Sequence, residues 1–258
     1  MELLDGVEVA CFDLFNTLIS IDRQRLPELE WDGAKVRTTI PVLHDRIFAP
    51  RGVDLRELVR AMRSMWGEVQ AELRAAESAE DERWREIPAV EKYRRLLRRL
   101  ETIEDNEVAE LAEVIANTHH EMLVSASTLV DGAEEVLARL RGRGVPTVLV
   151  SNWDHARAGS AMLAQTRLAP LLDHVVISEA VGFRKPHPKI FEEALAPFGA
   201  APRAALHVGD LAEADAWGAG RLGFKTVWID LGEESWPDEL VPAPSLTVTR
   251  LTDLLEHF

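Results

Sequence analysis

The sequence predicts an α/β fold, a Rossmann-like parallel sheet core into which an all-helical cap domain is inserted, on three observations. A short apolar run, Val7 to Phe12, stops abruptly at Asp13. Helical periodicity then holds from about Asp22 to Val124. After Asp131 short apolar runs alternate with helical stretches almost to the C-terminus. Alternation of that kind implies right-handed crossovers, a parallel sheet, and a ligand crevice outside the carboxyl ends of its strands.

In chain order, Val7–Phe12 has the continuous apolar character of a strand covered on both faces, delivering Asp13 to its C-terminal edge. The insert is helical because Leu55, Leu58, Val59, Met62 and Trp66 recur at spacings of three and four, as do Tyr93, Leu96, Leu97 and Leu100. Pro27, Pro41, Pro50 and Pro88 punctuate it, so the stretch before Leu55 is expected to be irregular or built from short pieces. A helix from Gly132 to Arg141 stops at Gly142 and Gly144, strand Thr147–Ser151 follows, and the next helix runs from about His155 to Gln165. Val175–Ile177, Ala205–Val208 and Thr226–Ile229 are further strands, separated by helical stretches Lys189–Ala196 and Ala212–Leu222. The domain expectation is a core of residues 1–20 and 125–258 with a cap of residues 21–124.

Composition narrows the function. A formal charge of −15 over 258 residues excludes a general nucleic-acid binder, whose affinity rests on Lys and Arg neutralising phosphates. No apolar run approaches the roughly 20 residues that span a bilayer, which argues against a membrane partner. Met1–Ala10 carries acidic residues where a signal peptide would carry basic ones, and Cys11 has no second cysteine, so a reducing cytoplasm is the expected compartment. A small molecule is the expected substrate, and the chain is expected to be a monomer or homodimer.

The strand ends carry the chemistry. The first ends Phe12-Asp13-Leu14-Phe15-Asn16-Thr17-Leu18: a carboxylate, a tight turn, then a hydroxyl. Ser151-Asn152 closes the second at a helix N-terminus, where unsatisfied N–H groups attract anions. Arg184-Lys185-Pro186-His187-Pro188 places an ammonium in a proline-stiffened loop, and Gly209-Asp210-Leu211-Ala212-Glu213-Ala214-Asp215 sets two carboxylates around a third strand end. Carboxylates, a lysine, hydroxyls and free amides are what an oxygen-rich Mg²⁺ site facing a phosphoryl group requires.

These four pieces, in this order and after these strands, resemble the motifs of the haloacid dehalogenase-like hydrolases, and the insert resembles the helical C1 cap of that family. The resemblance covers essentially the whole chain. It implies a Mg²⁺-dependent phosphatase in which Asp13 attacks phosphorus to form an aspartyl-phosphate and Lys185 neutralises Asp13 and the developing charge. It further implies that Ser151, with Asn152, binds the phosphoryl oxygens while Thr17 orders the first loop at the substrate. Mg²⁺ would be held by Asp13, the backbone carbonyl of Phe15 and Asp210, with Asp215 binding through water or bracing its loop.

Phe15 departs from that pattern. Phosphatases of the family usually carry there a second Asp that protonates the leaving oxygen and then activates water. The alternatives are a 2-haloacid dehalogenase, which needs neither acid nor metal, and a weakly active relative that binds a phosphorylated ligand. Against dehalogenation stands Gly209-Asp210, which keeps the metal carboxylate. Several residues have plainer readings: Cys11 as a buried packing thiol, His187 as a loop-shaping residue or a site residue, Arg94, Arg95, Arg98 and Arg99 as a helix face paired with Glu, and Trp66 and Trp84 as cap core. The substrate-selecting residues stay open; Arg37, His44, Arg83 and Arg85 are candidates by position alone.

Overall fold

A computed structural model describes residues 3–76, 80–232 and 235–258, with the side chains of residues 80 and 81 outside the description. Among the described residues, ten strands run along the chain. In order they are β1 (Val9–Phe12), β2 (Ile19–Ile21), β3 (Glu28–Trp31), β4 (Ala34–Arg37), β5 (Ser127–Leu129), β6 (Thr147–Ser151), β7 (His174–Ile177), β8 (Ala205–Gly209), β9 (Lys225–Ile229) and β10 (Leu246–Val248). The chain divides into two compact units, Met1–Ser20 with Thr128–Phe258, and Ile21–Ser127.

The first unit holds a six-stranded sheet in the order β10-β9-β8-β1-β6-β7, and its strand pairs are parallel. β1, β6 and β8 are buried along their whole length, as expected of strands covered on both faces. Pairing of Phe12 with Leu149 and with Val208 puts Asp13, Ser151 and Gly209-Asp210 at one edge. From β1 the order runs one way to β6 and β7, then returns to the far side for β8, β9 and β10, so β1 and β8 flank the topological switch point where open α/β sheets collect ligands. Helix Pro188–Leu195 begins on a proline with His187 as its N-cap, and buries Ile190, Phe191, Ala194 and Leu195 against the sheet cluster containing Val9, Cys11 and Val148.

The second unit has its own core. Helix Leu55–Ala75 starts where the Asp54 carboxylate accepts from the Glu57 N–H at 2.9 Å, and buries Leu58, Val59, Met62, Met65 and Val69 at helical spacing. Helices Ala89–Leu97 and Val108–Ser125 add Tyr93, Leu96, Leu97, Leu111 and Ile115 to the same cluster. Three arginines of that face pair with Glu: Arg94 reaches Glu91 at 3.9 Å, Arg95 reaches Glu72 at 2.6 Å and Glu91 at 3.3 Å, and Arg99 reaches Glu68.

Several expectations need correction. The insert is not wholly helical, since β3 and β4 form an antiparallel hairpin within the stretch read as irregular. Asp32 and Gly33 at its tip have φ of 49° and 76°, the paired positive values of a type I′ turn. Trp66, expected in the core, is 44 % exposed and lies under the Lys92 ammonium at 5.2 Å, so its face serves a cation rather than packing. Trp84 is half-buried beneath Arg83. Residues 212–222 are not one α-helix: a wider π-helical turn, Ala212–Trp217, precedes a short α-turn. β10 was not anticipated.

Candidate functional site

The eight motif residues expected to act on the phosphoryl group or the metal all fall in the sheet-bearing unit, and Lys185 is the hub. Its ammonium, 1 % exposed, donates to Asp13 Oδ1 at 2.5 Å, to Asp215 Oδ1 at 2.6 Å and to the Val150 carbonyl at 2.7 Å. Two clamps fix the loop that carries it. The Asn152 side-chain oxygen accepts from the Lys185 N–H at 2.6 Å while its amide donates to the Lys185 carbonyl at 3.0 Å. On the other side Arg221 donates to the Pro186 carbonyl at 3.0 Å, and Gly218 lies so close that a Cβ there would sit 2.6 Å from the Pro186 Cβ. Asn152 therefore holds the lysine loop.

Asp215 is placed by the π-turn, in which the N–H groups of both Asp215 and Ala216 bond to the Leu211 carbonyl. Such wide turns recur at functional sites because they redirect a side chain without ending the helix. The same geometry requires Gly209: a Cβ there would lie 2.5 Å from the Asp215 Cβ and nearer still to its carboxylate. The fully buried Asp215 accepts the Leu211 N–H at 3.0 Å on Oδ2 and the His207 Nε2–H at 3.0 Å on Oδ1. Asp210, half-buried, accepts from the Asn16 amide at 3.1 Å; Asn16 sits in the left-handed region, φ 57°, which asparagine tolerates better than most residues.

The electrostatics follow from burial. The Asp13 carboxyl is pushed up to about 7, mainly by burial, against the pull of Lys185 and with repulsion from Asp215 and Asp210 added. Asp210 is raised to about 6, by burial and then by Asp215. Burial acts on Asp215 too, but the Lys185 charge and the His207 hydrogen bond outweigh it and hold it at about 2. Of the two carboxylates that share Lys185, Asp13 takes the proton first, because Asp215 has two further donors. Burial lowers Lys185, and the charges of Asp13 and Asp215 more than restore it, so the ammonium persists. His207 is pushed down by burial and stays a neutral donor.

One carboxylate oxygen from each of Asp13, Asp210 and Asp215 lies within 4.8 Å of the others. An all-oxygen set in which Asp13 and Asp210 resist ionising beside Asp215 is what a hard divalent cation would relieve. Ser151 Oγ and Thr17 Oγ1 are buried without a hydrogen-bond partner among the described residues. Native interiors seldom leave such hydroxyls unmet, and an anion supplies acceptors for them. Phe15 stands edge-on to Trp153, ring centres 5.0 Å apart, and Trp153 is pinned by Ser178 through its own N–H and carbonyl at 2.9 and 3.2 Å. His187 shapes its loop: Nδ1 accepts from the Lys189 N–H and the ring stacks on Phe183 at 4.2 Å. The Cys11 thiol is raised to about 12 by burial, as a packing thiol should be.

Residues 7–223 match the family model described as haloacid dehalogenase-like hydrolase. The chain belongs to that family. As a haloacid dehalogenase-like hydrolase it is an enzyme. It is 36 % identical over 162 residues to a glyceraldehyde 3-phosphate phosphatase of Pyrococcus furiosus, covering 62 % of this chain and 66 % of the relative. It is 38 % identical over 131 residues to a phosphoserine phosphatase of Thermus thermophilus, covering 49 % and 48 %. The matched stretches span about half to two thirds of those relatives' own length. In fold it resembles a 2-haloacid dehalogenase of Pseudomonas syringae pv. Tomato, with TM-score 0.68, 19 % identity and 97 % of each chain covered. It likewise resembles a HAD phosphatase of Thermococcus onnurineus, with TM-score 0.60, 17 % identity and 97 % of each chain covered.

Two residues of this hydrolase site carry no signal of their own in the sequence. His207 is a lone histidine in an apolar strand, and Asn16 has a role only because its φ turns the amide toward Asp210. Among the described residues, no helix is long and apolar enough to cross a membrane.

Proposed function

We propose that this hydrolase is a Mg²⁺-dependent phosphatase acting on a small phosphorylated molecule through an aspartyl-phosphate on Asp13. The observation that carries the reading is the cluster of Asp13, Asp210 and Asp215, three carboxylates gathered together, two of them on one lysine. A haloacid displacement would use Asp13 but needs no cation for Asp210 to hold, whereas phosphoryl transfer uses both carboxylates. The relatives named as phosphatases support it.

Asp13 supplies the oxygen that bonds to phosphorus as the leaving oxygen departs with its electron pair. Lys185 keeps Asp13 aimed and offsets charge on the transferring group, while Ser151 and Thr17 are the hydroxyls for its oxygens. Asp13 and Asp210, with the Phe15 carbonyl, would hold Mg²⁺, which when bound neutralises phosphoryl charge; Asp215, whose oxygens are committed to Lys185, His207 and Leu211, braces the loop. Water then attacks phosphorus and Asp13 is released. The unit Ile21–Ser127 is the cap that selects substrate, within a monomer or homodimer of the cytoplasm.

Divalent-cation binding should weaken with acidity, because the cation competes with protons on Asp13 and Asp210, held at about 7 and about 6. Both are ionised at pH 8, so Mg²⁺ affinity measured by calorimetry should be roughly tenfold or more weaker at pH 6. An affinity unchanged over that interval would remove these carboxylates from the metal site.

The second reading, a 2-haloacid dehalogenase, is favoured by one observation, the aromatic Phe15 packed on Trp153 where a general acid would stand. The same observation makes a prediction for the phosphatase. Lacking the roughly 10²–10⁴-fold help of a positioned acid, the enzyme should turn over aryl and acyl phosphates at least about a hundredfold faster than alkyl phosphates of similar size. Phe15→Asp should raise alkyl phosphate turnover modestly. Equal rates across leaving groups would show another acid at work; turnover of short haloacids without Mg²⁺ would establish the rival.

A further inference from the structure

His207 lies on β8 opposite Cys11 of β1 and Thr226 of β9, fully buried, with its ring edge-on to Phe191 at 5.3 Å. The surrounding cluster is apolar: Val9, Cys11, Ala205, Phe191, Phe224. A leucine or phenylalanine would suit such a place without burying ring nitrogens. One of those nitrogens, Nδ1, has no hydrogen-bond partner among the described residues. The other, Nε2, lies 3.0 Å from Asp215 Oδ1, the same oxygen that receives the Lys185 ammonium. Since a carboxylate only accepts there, the proton is on Nε2.

We propose that His207 is a positioning residue for the chemistry at Asp13: its Nε2–H fixes the Asp215 carboxylate, and through it the Lys185 ammonium, against the nucleophile. The Leu211 N–H holds Oδ2 and His207 holds Oδ1, so the carboxylate plane cannot turn. With Asp215 fixed, Lys185 is suspended between two oxygens and the Val150 carbonyl. Without the imidazole, Oδ1 is held by Lys185 alone, and the two are free to shift together away from Asp13. A neutral donor does this without adding a second cation beside the lysine. The catalytic part of the proposal rests on the phosphoryl-transfer reading above; the hydrogen bond itself does not.

The test compares His207→Leu with His207→Gln, whose amide N–H can reach where Nε2 stands. With para-nitrophenyl phosphate and Mg²⁺, His207→Leu should lose about 10- to 100-fold in kcat with KM changed little, the size usual for removing a group that orients a site ligand. His207→Gln should recover most of that loss. ¹⁵N NMR of the unaltered protein, with the His207 signal assigned by its disappearance in His207→Gln, should show a neutral ring protonated on Nε2. Full activity in His207→Leu, equal impairment of both variants, or a proton on Nδ1 would each overturn the proposal. An unaltered enzyme inactive on every phosphate ester would instead overturn the phosphoryl-transfer reading and the catalytic part with it, while the NMR result still decides the hydrogen bond.

Discussion

Asp13→Asn should abolish turnover of every phosphate ester, a loss on the order of 10⁴-fold or more, because an amide cannot form the covalent intermediate. Stability should move the other way. With its carboxyl raised from 3.8 to about 7, Asp13 binds its proton more tightly folded than unfolded, so stability contributed at low pH is lost as pH rises from about 3.8 to about 7. Replacing that carboxylate by an amide removes the strain of ionisation and keeps an oxygen for Lys185. At pH 8 without divalent cations, the melting temperature of Asp13→Asn should equal or exceed that of the unaltered protein. A drop of many degrees would mean that the Lys185–Asp13 pair is a net stabiliser rather than stored catalytic potential.

Gly209→Ala should also be damaging, through a different cause. The new Cβ would lie 2.5 Å from the Asp215 Cβ and closer to its carboxylate, so Asp215 must leave its place between His207 and Lys185. Because Gly209 ends a buried strand and Asp215 sits in a hydrogen-bonded π-turn, neither backbone can give way cheaply. Overpacking of this kind costs about 1–3 kcal/mol, measurable by denaturant unfolding. The larger effect should be on kcat, about a hundredfold or more, since Asp215 carries Lys185 with it. Gly218→Ala, which crowds Pro186, should give a milder version by displacing the lysine loop from the opposite side. Near-normal activity in Gly209→Ala would show that Asp215 is dispensable.

The catalytic strand ends were legible because each couples a buried apolar run to an abrupt polar residue: Phe12 to Asp13, Val150 to Ser151, Val208 to Gly209-Asp210. Parallel pairing then brings together residues far apart in the chain without further information. What the sequence did not disclose depends on conformations that no residue pattern announces. Asp215 reaches Lys185 only through a π-turn, and a helical reading of residues 212–222 gives no reason to expect one. His207 lies in a strand otherwise apolar, and its meaning depends on that same turn. Asn152 stands beside the expected phosphoryl hydroxyl, yet its amide is used on the backbone of Lys185. The hairpin of β3 and β4 had a signal, Asp32-Gly33 between residues of β propensity, outweighed by the surrounding prolines. Trp66 satisfied helical spacing at the edge of the apolar stripe, where a cation on a neighbouring helix competes with burial.

The most direct test of covalent phosphoryl transfer from Asp13 is repeated turnover in H₂¹⁸O, with mass spectrometry of both the product and the peptide that contains Asp13. If water attacks phosphorus, ¹⁸O enters the released phosphate, the Asp13 carboxylate stays unlabelled, and a transient phosphoryl group is trapped on Asp13 by acid quenching during the burst with an aryl phosphate. If Asp13 instead displaces halide from a haloacid and water then attacks the carboxyl carbon of the resulting ester, ¹⁸O accumulates in Asp13 itself; label there, with no phosphoryl group ever found, would contradict the account.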